Sequence, residues 1–170
     1  NTDILILTST PVDRWECPSS HIDSVFEIIN GADMGLTILT GSHGSLTPEW
    51  VFRKCNVDYI VRNEPEITTL NLVQAIKDGM GFNEIKGISY IENNKISHNP
   101  DAPRIENLDE LPLPAYHLLP MNKYKYNSSC LPQPFSIMLS SRGCPFNCIF
   151  CLKAMLKEKY IALHLFHSLH

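Results

Sequence analysis

The 170-residue sequence lacks features that define whole classes of protein. Its net charge is −4, so it has no basic excess that would suggest nucleic-acid binding. No apolar run reaches the length of about eighteen residues that a membrane span needs, and no signal peptide opens the chain. Internal repeats and low-complexity blocks are also missing. With 44% hydrophobic residues, the chain is expected to be a globular cytoplasmic protein with no membrane span.

The chain begins without an initiator methionine and enters a strand-like run within its first few residues. We interpret it as a fragment that is truncated at both ends. Its length leaves room for one domain and part of another.

Six cysteines are spread unevenly, at positions 17, 55, 130, 144, 148 and 151. Without an export signal, this pattern favours metal binding in a reducing compartment over three disulfides. Cys144, Cys148 and Cys151 follow a short apolar run and have the spacing C-x3-C-x2-C. Short spacings let three sulfurs turn toward one centre. Three protein ligands leave one position open, which suits an iron–sulfur cluster better than a closed four-ligand zinc site.

The first 79 residues alternate between apolar runs and segments of helical period. Strands are predicted over 3–8, 35–40 and 57–61, and each is followed by a helix, the last over 66–77 with Leu70 facing inward. This alternation predicts an α/β domain with an open parallel sheet. Polar residues follow two of the strands, and on residues alone they are explained as ordinary turns.

Two further segments complete the predicted organisation. Residues 87–91 and 95–98 predict a hairpin, because the asparagines between them tolerate the positive φ of a tight turn. Residues 100–134 hold seven of the twelve prolines and predict an extended linker. The predicted domains are therefore 1–86, a hairpin and connector over 87–134, and a further domain that starts at 135 and runs to 170.

The cysteine motif, with Phe150 directly before its last cysteine, resembles the radical S-adenosylmethionine (SAM) family. That resemblance implies that Cys144, Cys148 and Cys151 hold a [4Fe-4S] cluster whose free iron binds SAM, with Phe150 near the adenine. It also implies that an external electron donor drives cleavage of SAM to a 5′-deoxyadenosyl radical, which acts on a small-molecule or lipid-like substrate. The segment from 135 would then be the first strand and cluster loop of a truncated radical SAM barrel.

Residues 3–126 carry a second resemblance. The order of the first strands, the loop at 41–44, the segment 57–66, the strand at 86–90 and the segment 108–112 is similar to the cobalamin-binding domain and connector of cobalamin-dependent radical SAM proteins. This implies an incomplete flavodoxin-like (Rossmann-like) sheet that lacks its first strand. The corrin would lie across the carboxyl ends of the strands. The residues implied in cobalamin binding are Thr8, Ser9 and Thr10 on the nucleotide-tail side, and Gly41 and Ser42 in place of a Gly-Gly pair.

The resemblance implies methyl transfer or rearrangement by the intact relative, whereas the truncated chain alone is expected to be inactive. Two alternatives stay open. Cys148, Cys151, His164 and His170 have the spacing of a Cys2His2 zinc finger, which needs the helix that we predict over 152–170. The chain is alternatively a non-catalytic α/β cobalamin-binding module whose cysteine loop binds nothing.

Overall fold

The computed structural model describes residues 3–10, 22–31, 35–123, 141–146, 148–150 and 160–163. The chain forms two compact units, Asn1–Arg104 and Ile105–His170. The first unit is built on a five-stranded sheet whose strands are neighbours in chain order. These strands are β1 (Ile4–Thr8), β2 (Leu36–Thr40), β3 (Tyr59–Val61), β4 (Ile88–Glu92) and β5 (Lys95–His98).

Helices cover both faces of this sheet, because alternate residues of each strand point to opposite sides. On one face, Leu39 and Ile60 pack with α1 (Asp23–Gly31) and α3 (Pro48–Lys54). On the other face, Ile38 and Val61 pack with Leu72 of α4 (Pro65–Asp78). The predicted α/β class is confirmed, and the loop predicted after β2 contains one more short helix, α2 (Ser42–Leu46).

The sheet is mixed, although the sequence predicted only its parallel part. Strands β1, β2 and β3 are parallel, whereas β4 runs antiparallel to β3 and β5 antiparallel to β4. The chain enters β4 beside the carboxyl end of β3, where the amide of Arg62 donates to the carbonyl of Gly87 at 2.8 Å. The hairpin prediction is confirmed, with Asn93 and Asn94 at φ 50 and φ 63. The two strands of the hairpin and the three parallel strands therefore belong to the same sheet.

The inward face of α4 differs from the prediction. Leu70 is 64% exposed, while Leu72 is fully buried and Val73 and Ile76 are packed against the core around it. Leu70, Val73 and Ile76 follow a three-residue spacing, which drifts around a helix of 3.6 residues per turn. The predicted range of 66–77 lies within α4, which ends at Asp78 and is followed by Gly79 in the left-handed conformation.

The described part of the second unit contains three 3-10 turns, at Leu108–Glu110, Tyr116–Leu118 and Met121–Lys123, and a two-stranded antiparallel sheet. Strand β6 (Ser141–Cys144) pairs with β7 (Tyr160–Leu163). The predicted helix over 152–170 is therefore wrong at residues 160–163. Aromatic and β-branched residues such as Tyr160 and Ile161 favour strands, and their apolar pattern does not separate helix from strand.

Several predicted segments lie outside the described residues. These are the strand at the start of the segment from 135, and the parts of the predicted terminal helix at 152–159 and beyond 163. In the part of the chain that the structure describes, no helix is both long and apolar enough to cross a membrane. The predicted domain boundaries stay a prediction.

Candidate functional site

The loops that follow β1 and β2 meet at the carboxyl edge of the sheet. β1 and β2 pair in register from Ile4 with Leu36 to Thr8 with Thr40, so both strands end at the same level. The amide of Ser42 donates to the hydroxyl oxygen of Thr10 at 3.2 Å, and the amide of His43 donates to the hydroxyl oxygen of Ser9 at 3.1 Å. The structure therefore brings together the five residues that sequence analysis selected at this edge, namely Thr8, Ser9, Thr10, Gly41 and Ser42.

Ser9 has a positioning role in this arrangement. Its side chain is buried, and its hydroxyl donates to the carbonyl oxygen of Thr40 at 2.8 Å while it accepts from the amide of His43. The hydroxyl thus makes both of its bonds inside the protein. Because Thr40 ends β2 and His43 lies in α2, Ser9 fixes the turn that leads from β2 into α2.

Gly41 is required by the packing of the first loop against the second. It has φ 95, and an added Cβ would lie 2.6 Å from the backbone nitrogen of Thr10. A side chain at this position would therefore meet main chain that cannot move aside cheaply. The space beside Gly41 is filled by Thr10, so this glycine shapes the edge by allowing two loops of the chain to approach each other.

Thr8, Thr10, Ser42 and the ring of His43 give the edge its accessible polar groups. Thr8 and Thr10 are exposed, and the Thr8 hydroxyl oxygen accepts from the amide of Thr10 at 3.2 Å. His43 Nδ1 lies 3.3 Å from the carbonyl oxygen of Ser9, which anchors the imidazole beside the loops. Hydroxyls and an imidazole can exchange hydrogen bonds with amide, phosphate or sugar oxygens of a ligand.

The edge continues to the end of β3. The Ser45 hydroxyl donates to the carbonyl oxygen of Gly41 at 2.8 Å and accepts from the amide of Asn63 at 2.8 Å. Asn63 has φ 63, which asparagine tolerates better than most residues. Sequence analysis did not select Ser45. The only local signal for this contact was Asn63, an asparagine shortly after the end of β3. Three successive strand ends are thus linked through α2.

A polar network lies beside this edge, centred on the buried Arg62. Its guanidinium donates to the carbonyl oxygen of Ile88 at 3.0 Å, to the hydroxyl of Ser89 at 2.6 Å and to Asp101 Oδ1 at 2.9 Å. The Ser89 hydroxyl lies 2.8 Å from His98 Nδ1. This network fastens the hairpin and the segment after it to the end of β3, and sequence analysis did not predict it.

The cysteine loop lies in the second unit. Cys144 ends β6 and is partly buried, and Cys148 is exposed in the turn that follows, as is Phe150. Cys151 lies outside the described residues, so the predicted grouping of three thiols stays a prediction. Within the described ranges, no group of three or more His, Cys, Asp or Glu side chains could hold a metal ion.

The chain is similar to curated proteins whose names describe enzymes. No family model matches it. It is 44% identical over 119 residues to an uncharacterized methyltransferase of Pyrococcus horikoshii, which covers 69% of this chain and 25% of that protein. It is 36% identical over 121 residues to the anaerobic magnesium-protoporphyrin IX monomethyl ester cyclase of Rubrivivax gelatinosus, covering 68% of this chain and 21% of that protein. The chain thus spans about a quarter or less of these curated relatives.

Among solved structures, the cobalamin-dependent SAM radical enzyme OxsB with aqua-cobalamin and SAM bound matches 60% of this chain and 14% of its own. The TM-score is 0.42 at 23% sequence identity. The resemblance predicted from the sequence is confirmed, since the chain is a homologue of proteins named methyltransferase and cyclase.

Proposed function

We propose that this chain is part of a cobalamin-dependent radical SAM enzyme, in which the first unit binds cobalamin and the cysteine loop of the second unit binds a [4Fe-4S] cluster. The observation that carries the proposal is the junction of Ser9 and Thr10 with Ser42 and His43 at the carboxyl edge. Ligands of open α/β sheets bind at that edge. Homology to proteins named methyltransferase supports transfer of a methyl group as the reaction of the whole enzyme.

The residues at the edge fit a large polar cofactor. Cobalamin carries amide side chains and a nucleotide phosphate, which exchange hydrogen bonds with accessible donors and acceptors. The exposed Thr8 and Thr10 supply hydroxyls, and the His43 ring supplies a nitrogen. Ser9 and Gly41 serve the site indirectly. The Ser9 hydroxyl binds the end of β2, and the missing side chain of Gly41 allows the two loops to approach each other.

The cysteine loop fits the cluster in its donor chemistry. Cys144 and Cys148 are free thiols, and soft thiolate ligands select iron–sulfur clusters. We propose that Cys151 supplies the third thiolate and that the exposed Phe150 contacts the adenine of SAM. When bound, the cluster supplies the electron for reductive cleavage of SAM, from an external donor. The protein groups hold the cluster and leave one of its irons open.

Ring closure is the second candidate reaction of the whole enzyme. It is favoured by the 36% identity to a protein named cyclase. Both candidates use the same two cofactors in this proposal, so they differ in the substrate. The substrate, a small molecule or lipid-like compound, and the cytoplasmic location stay predictions.

The zinc-finger alternative loses its structural basis in the described residues. A finger places its two histidines on a helix, with an apolar core position ahead of them. Ile161, which would occupy that core position, lies in strand β7. We therefore do not propose a zinc finger.

Equilibrium ultrafiltration of the full chain with hydroxocobalamin tests the first unit. We expect about one corrinoid retained for each chain, and weaker retention by Ser42→Trp, which adds bulk at the carboxyl edge. Lys54→Trp is the matched control, because Lys54 is exposed at the last turn of α3, which lies toward the opposite edge. If the folded wild-type chain retains no corrinoid, the cobalamin assignment is wrong.

A further inference from the structure

We propose that Trp50 is a specificity-determining residue that stacks on the nucleotide base of the bound cobalamin. The chain would then distinguish corrinoids that carry a lower base from those that lack one. This inference rests on the proposed function, because it assigns a role within the same site. It is carried by an aromatic cluster that sequence analysis did not single out.

Trp50 lies close to the carboxyl edge because of how α3 begins. α3 opens with Pro48 directly after α2, and the amide of Thr47 donates to the carbonyl oxygen of His43 at 2.9 Å. The amide of Trp50 in turn donates to the carbonyl oxygen of Thr47 at 3.1 Å. Trp50 is therefore in the first turn of α3. Two successive backbone hydrogen bonds through Thr47 connect it to His43, the residue whose amide binds Ser9.

Two other rings hold the indole in place. The ring centroid of Phe26, in the first turn of α1, lies 5.4 Å from that of Trp50 at an interplanar angle of 48°. The centroid of the His43 imidazole lies 6.2 Å away at 31°. Phe26 is buried, whereas Trp50 is 36% exposed. The indole thus has a packed side against Phe26 and an accessible part toward solvent, so it is rigid before a ligand arrives.

The placement selects which part of a corrinoid this indole can meet. Trp50 belongs to α3, which packs on the sheet face that carries Leu39 and Ile60. The corrin ring of the proposed cofactor would span the strand ends beside this face. The nucleotide tail is the flexible appendage that can reach a residue on that face, and its base is a planar aromatic group. An exposed indole stacks favourably on such a ring.

His43 connects this surface to the rest of the site. Its amide binds the Ser9 hydroxyl, its Nδ1 lies beside the Ser9 carbonyl, and its ring faces Trp50. The imidazole therefore lies between the polar loops and the indole. A tail whose phosphate and sugar contact the exposed hydroxyls of Thr8 and Thr10 would carry its base onto Trp50.

The test compares two corrinoids on the full chain: hydroxocobalamin, and diaquacobinamide, which lacks the nucleotide base. Aromatic stacking predicts that Trp50→Leu weakens the binding of hydroxocobalamin by about three- to tenfold and leaves the binding of diaquacobinamide unchanged. Trp50→Phe keeps a ring and should retain most of the affinity. Ile67→Ala, which shortens an exposed side chain on α4, is the control and should change neither affinity.

The outcomes separate this inference from the proposal on which it rests. Equal weakening of both corrinoids by Trp50→Leu overturns the role of Trp50 in base recognition and leaves cobalamin binding intact. So does an unchanged affinity for both. If the wild-type chain binds neither corrinoid, the proposed function fails first and this inference fails with it. Far-UV circular dichroism of each variant shows that the comparison is made on folded protein.

Discussion

A Cβ placed on Gly41 would lie 2.6 Å from the backbone nitrogen of Thr10 and 2.7 Å from its hydroxyl oxygen. These two residues come from different strand ends, and their approach defines the candidate cofactor site. The close approach depends on the missing side chain and on the positive φ of Gly41.

We expect Gly41→Ala to destabilise the protein by about 1–3 kcal/mol, since both the backbone conformation and the contact are unfavourable for alanine. The measurement is the urea midpoint of the full chain. Gly81→Ala is the matched control, because a Cβ there meets nothing within 4 Å and its φ is not positive. Equal stability of both variants would contradict the proposed packing at the edge.

Arg62→Met tests the network that fastens the hairpin. The substitution removes the charged donor from the buried hydroxyl of Ser89 and from the carbonyl oxygen of Ile88, and a hydrogen bond to a charged group contributes about 1.5–3 kcal/mol. The ion pair with Asp101 adds little, because that carboxylate is 71% exposed. We expect a loss of stability well above that of Arg53→Met, an exposed control on α3. A difference within error would mean that the network does not stabilise the fold.

Whether the sequence could predict these features depends on how far apart in the chain the interacting residues lie. Alternating apolar runs and the Asn93–Asn94 turn are local, and they predicted the strands, helices and hairpin of the first unit. The strand-end residues Thr10 and Ser42 were selected through the resemblance to cobalamin-binding domains, because on residues alone they are ordinary turn residues. The Arg62–Ile88 hydrogen bond and the ring contact between Phe26 and Trp50 join residues more than twenty positions apart. Neither has a periodic or motif signal in one sequence.

The terminal segment shows a second reason why a prediction fails, which is a local pattern that fits two kinds of secondary structure. Tyr160–Leu163 is apolar without glycine or proline, so its local pattern permits a helix as well as a strand. Its pairing with Ser141–Cys144 decides for the strand. The paired residues are 16 positions apart for Cys144 and Tyr160 and 22 positions apart for Ser141 and Leu163, so local periodicity cannot predict this pairing.

Alkaline pH should lower the stability of the first unit. Burial, followed by the nearby charges of Asp58 and Tyr90, raises the pKa of Tyr59 above its ordinary value of 10.0. A raised pKa in the folded state means that the unfolded chain loses its proton first. The stabilisation is therefore complete below about pH 10 and is lost as the pH rises through the folded-state pKa.

The Tyr59→Phe variant removes this ionisation. We expect its urea midpoint to fall less than that of the wild type between about pH 9 and about pH 11. The other tyrosines and the lysines titrate in both proteins, so the difference between the two curves is the relevant measurement. Parallel curves would show that Tyr59 has the same pKa in the folded and unfolded chain.

Cys55 should resist alkylation in the native protein. Its side chain is buried, and burial raises the pKa of its thiol above the ordinary value of 9.0, so the reactive thiolate is scarce. Cys148 is exposed and serves as the internal comparison. Peptide mass spectrometry after brief iodoacetamide treatment of the metal-free chain should show modified Cys148 and intact Cys55. Faster modification of Cys55 would place it outside the core.

The iron and sulfide content after anaerobic reconstitution of the full chain tests directly whether the cysteine loop binds a [4Fe-4S] cluster. We expect about four irons and four sulfides for each wild-type chain, and loss of the cluster in Cys144→Ala, Cys148→Ala and Cys151→Ala. A folded wild-type chain that takes up no iron and sulfide would contradict this expectation. So would a Cys144→Ala chain that keeps the metal while His164→Ala releases it.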